Sequence, residues 1–300
     1  GIQGMKEGLD VLPDGEFMPP MDLNIVEKDI REKLKKQYNN KRILTVGRTA
    51  NITVPHNNRT NCQYRNRCWR GCPFGAYFST QSATLPAAMA TGNLTLRPFS
   101  LVTKVNYNKD TKKATGVEIL DTTENKTYEF KSKIVFLCAS SFNSTWVLMN
   151  SATDIWPDGL GSSSGELGHN VMDHHFRLGA GGTVEGFSDK YEFGRRPSGI
   201  YMPRFRNYYD DKRDYVRGFG YQGGAGRGRG AEVAEFTIGA DLKEAMSIPR
   251  DNWHMGLTGF GEMLPYHENK ITLNKNVKDK WGLPVLDMDV EIKENEIKMR

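Results

Sequence analysis

The chain has no apolar run approaching the roughly 20 residues that a membrane-spanning helix needs, so a transmembrane segment is not expected. No charged-then-apolar leader is read within the chain, and because it opens at Gly1-Ile2-Gln3 and closes at Lys298-Met299-Arg300 inside what reads as a helix or strand, it is expected to be a piece of a longer protein. Cysteine is scarce at 4 in 300 residues, and three of the four lie between positions 62 and 72. Three thiols cannot all pair with one another, which excludes a closed disulfide framework. Formal charge is only +5 and the Lys and Arg residues are dispersed, with acidic residues interrupting most basic runs. A nucleic-acid footprint needs clustering on one face, so that partner is set aside. No internal repeat is present. The glycine run GGAGRGRG at 223–230 lacks a strand before it and a helix after it, so it reads as a flexible loop and not as a phosphate cradle. Asn51, Asn58, Asn93, Asn125 and Asn143 open N-x-[ST] triplets, which read as chance in an Asn/Thr-rich sequence.

What the chain does have is the stretch CQYRNRCWRGCPFGAYFST from Cys62 to Thr80, with cysteines spaced C-x5-C-x3-C at Cys62, Cys68 and Cys72. Thiolates are soft ligands that suit zinc and iron–sulfur clusters. Free cysteine is equally at home as a small buried apolar residue, and spacing alone leaves both readings open. A length of 300 residues allows one large domain or two ordinary ones.

Asn24 and Glu27 have capping-box spacing, and Ile25, Ile30, Leu34 and Tyr38 follow a helical period, which predicts a helix over about 24–38. A short strand over 42–46 leads to the cysteine stretch, and a short helix broken near Pro86 and stopped by Gly92 follows it. Strands are expected at about 94–98, 101–107, 114–121 and 127–131, with a hairpin turn at Asn108-Lys109-Asp110. The apolar run Ile134 to Ala139 reads as a strand buried on both faces of a parallel or mixed sheet, with a helix beginning near Trp146. Such a strand-to-helix turn is where backbone N–H groups often meet a cofactor phosphate, although it is also an ordinary α/β connection. Beyond the Gly/Ser-rich loop 159–168, strands are expected at about 175–184, 199–206, 216–222, 232–239 and 253–263, with a helix at 241–246. That pattern describes a mostly antiparallel sheet.

In their order along the chain, these segments resemble the glucose–methanol–choline (GMC) flavin oxidoreductases. The blocks that carry the resemblance include PDGEFMPP near the start, GCPFGAYFST at 71–80, LPAAMATGNLTLRPFSLVTKV at 85–105, IVFLCASSFNSTWVLMNSA at 134–152, GSSSGELGHNVMDHH at 161–175 and NKITLNKNVKDKWGLP at 269–284. Ser140, Ser141, Ser144, Val147, Leu148 and Ser151 match the family's second signature, while Thr145 stands where proline is usual and Ala152 where glycine is usual. The resemblance implies a partial GMC fold of mixed α+β (α/β) class. Residues 1–42 would be a helical and loop segment, 43–165 part of the FAD-binding domain, and 166–300 the substrate-binding domain.

The cysteine spacing resembles the catalytic subunit of FAD-dependent sugar dehydrogenases. That likeness implies a [3Fe–4S] cluster on Cys62, Cys68 and Cys72, with zinc or no metal as the alternatives, and leaves Cys138 as a core residue. It also implies FAD contacts at Val102, Ala139 and Ser140, a sugar or alcohol substrate, and a small subunit and cytochrome as electron acceptors. A periplasmic location comes from the family alone. The family's dinucleotide fingerprint and its catalytic histidine block are not found in the sequence, so no catalytic residue is assigned. The chain alone is expected neither to turn over substrate nor to hold FAD tightly. His174 and His175 match a family block and read as structural. Tyr201, Phe219, Tyr221, Trp253 and Phe260 could line a sugar pocket, although most read as core. An oxygen-using GMC oxidase, or a non-catalytic carbohydrate-binding or scaffold protein on the same fold, are the competing readings.

Overall fold

A computed structural model describes residues 1–65, 67–190, 196–229, 238–247 and 249–300. The strands in chain order are β1 (Thr45–Val46), β2 (Ser100–Asn108), β3 (Lys113–Asp121), β4 (Lys126–Lys131) and β5 (His174–Val184). They continue as β6 (Ile200–Met202), β7 (Tyr221–Arg229), β8 (Pro249–Glu262), β9 (Lys270–Lys278) and β10 (Pro284–Asp289). The α-helices are α1 (Ile25–Gln37), α2 (Leu85–Ala90), α3 (Ser140–Asn150), α4 (Gly239–Ser247) and α5 (Glu294–Met299). Every strand pairing among the described residues is antiparallel, so the fold is the mixed α+β class expected, without its parallel element. Two compact units emerge, one from Gly1–Leu94, His174–Glu262 and Glu294–Arg300, the other from Thr95–Asp173 and Met263–Lys293.

The first unit holds a five-stranded sheet in the order β1-β6-β7-β8-β5. Burial alternates along β8: Trp253 is fully buried and Met255 and Leu257 face the core, while His254, Gly256 and Thr258 are exposed. This is the period-2 signature of a sheet with one covered face. The core against that face comprises Met21, Leu23, Leu44, Val46, Ile52, Cys62, Ala76 and Ile200. Helix α1 forms where its capping box predicts. The Asn24 side chain accepts from the Glu27 N–H at 3.0 Å and the Glu27 carboxylate accepts from the Asn24 N–H at 3.0 Å. Gln3, wholly buried, ties the N-terminal segment down by donating to Gly47 O and Thr49 Oγ1 and accepting from the Met21 N–H.

The second unit holds the meander β2-β3-β4 and the hairpin β9-β10. Asn108 Oδ1 accepts from the N–H groups of Asp110 and Thr111, which closes the β2–β3 turn as expected. Asp121 closes the β3–β4 turn in the same way, through Thr123 and Glu124. Ser151 links α3 to β2, since its hydroxyl accepts the Val105 N–H at 2.8 Å and donates to Val147 O.

Several expectations are corrected. Residues 134–138 are not a strand: no ladder forms there, and Ile134 and Phe136 are 66% and 80% exposed. A continuous apolar run becomes a buried strand only where strands flank it on both sides, and none of the described sheets offers that place. Residues 94–98 are likewise irregular and exposed. The helix expected to break near Pro86 changes type just before it: a π-helical turn over Thr80–Thr84 runs into α2 at Leu85, and Pro86 sits in the first turn of α2, which needs no N–H donor there. Helix α3 starts at Ser140, six residues earlier than its apolar pattern suggested. The glycine run at 223–229 lies within β7, the central strand that pairs β6 with β8. Glycine suits it because neighbouring backbone leaves no room: a Cβ on Gly223 would lie 1.9 Å from Gly256 O. Residues 216–220 are irregular, and the strand expected at 232–239 falls mainly outside the described residues.

Candidate functional site

The cysteine stretch is stitched to the segment before it by backbone hydrogen bonds on both flanks. The Ile52 N–H donates to Ala76 O and Ile52 O accepts the Cys62 N–H, each at 2.9 Å, while the Phe78 N–H reaches Ala50 O at 2.8 Å. Both ends of the loop therefore sit on one short segment whose Ile52 is in the core. Between them, Cys68–Arg70 makes a single 3-10 turn that ends at Gly71, whose φ of 94° no β-carbon-bearing residue adopts readily.

All four cysteines are free thiols; Cys62 is buried, Cys68 and Cys72 are half-buried, and Cys138 is exposed and not in the core. Exposure of Cys138 follows from the missing strand at 134–138. Burial pushes the Cys62 thiol pKa up, the Tyr64 N–H on its sulfur at 3.4 Å pulls the other way, and the neighbouring Cys68 and Cys72 charges raise it further. Burial also raises Cys72, but the N–H groups of Tyr77, Phe74, Ala76 and Gly75 together outweigh it and leave the thiol lowered. Asn51, buried beneath the loop, points its amide at Cys68 Sγ at 4.0 Å. Among the described residues, no three His, Cys, Asp or Glu side chains are grouped as a metal cage. The placing of Asn51 against Cys68 was not anticipated from the sequence.

A cleft of about 1430 Å³ opens beside Cys62, between Gln63 and Tyr64 on the loop and Gly182, Ala225 and Met255 on the sheet. Its back wall is an ion pair, with Arg196 donating to both Glu27 oxygens at 2.9 Å while Glu27 is 1% exposed.

The residues expected at the flavin occupy the second unit. Val102 is half-buried in β2, opposite Ile119 and beside a bulge between Val102 and Lys104. Ala139 and Ser140 are exposed at the start of α3, where no side chain caps the helix and Ser140 takes φ 67°. The Ala139 N–H is taken by Ser144 Oγ at 3.2 Å. The uncapped first turn thus presents free backbone donors, the chemistry that suits a phosphate or carbonyl oxygen. Histidines gather elsewhere: His169 and His267 stack at 4.1 Å, and His174 meets Phe260 edge-on at 6.0 Å. The expected aromatic wall is mostly packing. Trp253 is sealed in and donates to Phe187 O at 2.9 Å, and Phe219 packs edge-on to Tyr221 at 5.3 Å.

A family model described as GMC oxidoreductase matches residues 8–176, more than half of the chain. The chain belongs to the GMC oxidoreductase family. Members of this family bind FAD. The GMC match spans the cysteine loop, Val102, Ala139 and Ser140. Among curated proteins, the chain is 30% identical over 236 residues to a 2-methyl-1,2-propanediol dehydrogenase of Mycolicibacterium austroafricanum, covering 76% of this chain and 41% of that protein. It is 23% identical over 251 residues to the fructose dehydrogenase large subunit of Gluconobacter japonicus, covering 82% and 44%. It is 24% identical over 270 residues to the gluconate 2-dehydrogenase flavoprotein of Pantoea cypripedii, covering 84% and 42%. The chain therefore spans about two fifths of the length of the GMC relatives it matches.

Proposed function

We propose that the chain is part of an FAD-dependent dehydrogenase that oxidises a CH–OH group of a sugar or related alcohol. The observation that carries this reading is the GMC match, joined by three relatives that are all named dehydrogenases. The flavin, when bound, accepts the hydride, and the protein supplies position and protection from water. In this chain, the Val102 backbone beside its bulge, and the Ala139 and Ser140 backbone at the start of α3, hold the cofactor. At the start of α3 these groups suit the role because no side chain caps the first turn, although the Ala139 N–H is held by Ser144.

Cys62, Cys68 and Cys72 hold a [3Fe–4S] cluster in the same reading. The donor set fits a three-iron cluster, which takes three thiolates, better than zinc, which normally takes four ligands. The Tyr64 N–H at Cys62 and the Asn51 amide at Cys68 supply amide-to-sulfur hydrogen bonds of the kind such clusters use. A small subunit and a cytochrome as electron acceptors, and a periplasmic location, belong to this reading as well.

The test uses the protein from its complete reading frame, prepared without oxygen. Bound flavin absorbance, iron and sulfide in cluster proportion, and dye reduction with fructose, gluconate or a 1,2-diol are the expected results. A protein that binds no flavin and reduces no dye with any alcohol is not this enzyme. One equivalent of zinc without iron would replace the cluster by a structural zinc site, and rapid oxygen uptake would make the protein an oxidase.

A further inference from the structure

The three arginines of the cysteine turn differ from the ion-paired arginines of the chain. Arg31, Arg48, Arg97, Arg196 and Arg217 each sit on a carboxylate within about 3 Å. Arg65, Arg67 and Arg70 are exposed, and no carboxylate among the described residues reaches them. The sequence explains why none is near: from Lys33 to Lys109 there is no Asp or Glu, although Lys and Arg recur throughout. Reading the basic residues as dispersed among acidic ones therefore missed the one long stretch where they are not.

Trp69 stands on the same rim, 76% exposed, with the Arg70 guanidinium 4.5 Å from its ring centre. Arg65 lies over Phe74 at 5.8 Å. A water-facing tryptophan held by an arginine exposes apolar area that a monomer gains nothing by showing. Trp and Arg are the residues that dominate binding energy at protein interfaces. The flanks of the loop are anchored, because backbone bonds tie Cys62, Ala76 and Phe78 to Ala50 and Ile52, and Arg67–Gly71 closes its own turn through the Arg70 and Gly71 N–H groups.

We infer that Arg65, Arg67, Trp69 and Arg70 form the docking surface for an acidic electron-accepting protein, an inference that rests on the dehydrogenase reading above. Cys68 and Cys72 alternate with these residues along the chain, so a partner seated on the rim lies against the thiol-bearing turn. Each alcohol oxidised to a carbonyl releases two protons and two electrons, so two one-electron acceptor proteins are reduced per turnover. An anionic membrane is the weaker occupant, because such surfaces recruit clusters of about four to eight basic residues, and this rim offers three.

The experiment uses the full-length enzyme with the soluble domain of cytochrome b5 as an acidic probe, cytochrome c as a basic one, and an uncharged dye as control. The acidic cytochrome should be reduced faster than the basic one at low salt, with a rate that falls steeply as salt is added. The triple variant Arg65→Glu, Arg67→Glu, Arg70→Glu should slow it by about tenfold or more, as loss of electrostatic steering does. Trp69→Ala should weaken binding while leaving the salt dependence in place. Dye reduction should be unchanged in both variants, which also shows that they fold. Equal rates with the two cytochromes, or an unchanged rate in the triple variant, would overturn the inference. So would binding to phosphatidylglycerol vesicles that the triple variant abolishes while its cytochrome rates stay put. If no dye is reduced by the wild type, the dehydrogenase reading has failed. Calorimetric binding of cytochrome b5 without substrate then still decides the docking surface.

Discussion

The Glu27 carboxylate accepts hydrogen bonds from Arg196, from the Ala225 N–H at 3.1 Å and from the Asn24 N–H, while almost wholly buried. Along β7 the β6 pairing covers only Tyr221 to Gly223, and Glu27 and Asn24 serve the backbone of Ala225 beyond it. Glu27→Ala strands the Arg196 guanidinium in a poorly hydrated site, where a broken buried pair costs about 3–5 kcal/mol. Urea unfolding should show that loss, and Glu27→Ala with Arg196→Met should recover part of it. Asp121 makes a pH-dependent counterpart. Bonds from the Thr123 hydroxyl first, then the Glu124 and Thr123 N–H groups and Arg97, hold its carboxyl well below the ordinary value. A depressed folded pKa means the stabilisation is complete above the unfolded value of about 4 and is lost as pH falls through and below it. Asp121→Asn should therefore lower Tm at pH 7 and flatten the fall in Tm below about pH 4. At the cysteine loop, Cys72→Ser should strip iron from the anaerobic full-length protein, and Cys138→Ser should not; equal iron in both would remove Cys72 from the ligand set.

At the scale of elements, the glycines of the first unit's sheet divide by what surrounds them. A Cβ on Gly223 would meet Gly256 O at 1.9 Å and one on Gly199 would meet Gly223 O at 2.0 Å, whereas one on Gly182 meets nothing within 4 Å. Gly223→Ala should push β7 from its neighbours and destabilise by about 1–3 kcal/mol or more, as overpacking does. Gly182→Ala should be neutral or slightly stabilising, because it reduces unfolded-state freedom at no steric cost. Thermal melts of the two variants decide it, and similar losses would mean the sheet is looser than this packing requires. Elements with local instructions were legible beforehand. The capping box at Asn24 and the turn at Asn108 act within four residues, so α1 and the β2–β3 hairpin formed where expected. Strand β7 was not legible, since its reason for being glycine lies on strands β6 and β8.

At the scale of the molecule, each unit is assembled from separated stretches of chain, and the second carries apolar side chains that it does not cover. Leu96, Phe99, Ile134 and Phe136 are 59%, 67%, 66% and 80% exposed. Exposed apolar surface of this kind drives association. Residues 1–300 alone should self-associate and bind a hydrophobic dye, and Phe136→Glu should reduce both without lowering Tm. A monomer with no dye binding would show that these side chains are covered in solution. Catalysis was legible only as family membership, because the residues carrying the match span the loop and the start of α3, and not a proton-transfer pair.

By itself the sequence determined what short-range chemistry can specify: a capped helix, side-chain-closed turns, three thiols in eleven residues, and enough ordered blocks to place the chain among the GMC oxidoreductases. Tertiary structure decided the rest. It made a glycine run into a central strand, because close backbone approach outweighs glycine's poor strand propensity. It left the most apolar run of the chain unpaired, because a strand exists only where another backbone meets it. It set the Asn51 amide against Cys68 and left three arginines facing water, because charge pairing depends on which acids the fold brings near and not on how many the chain contains.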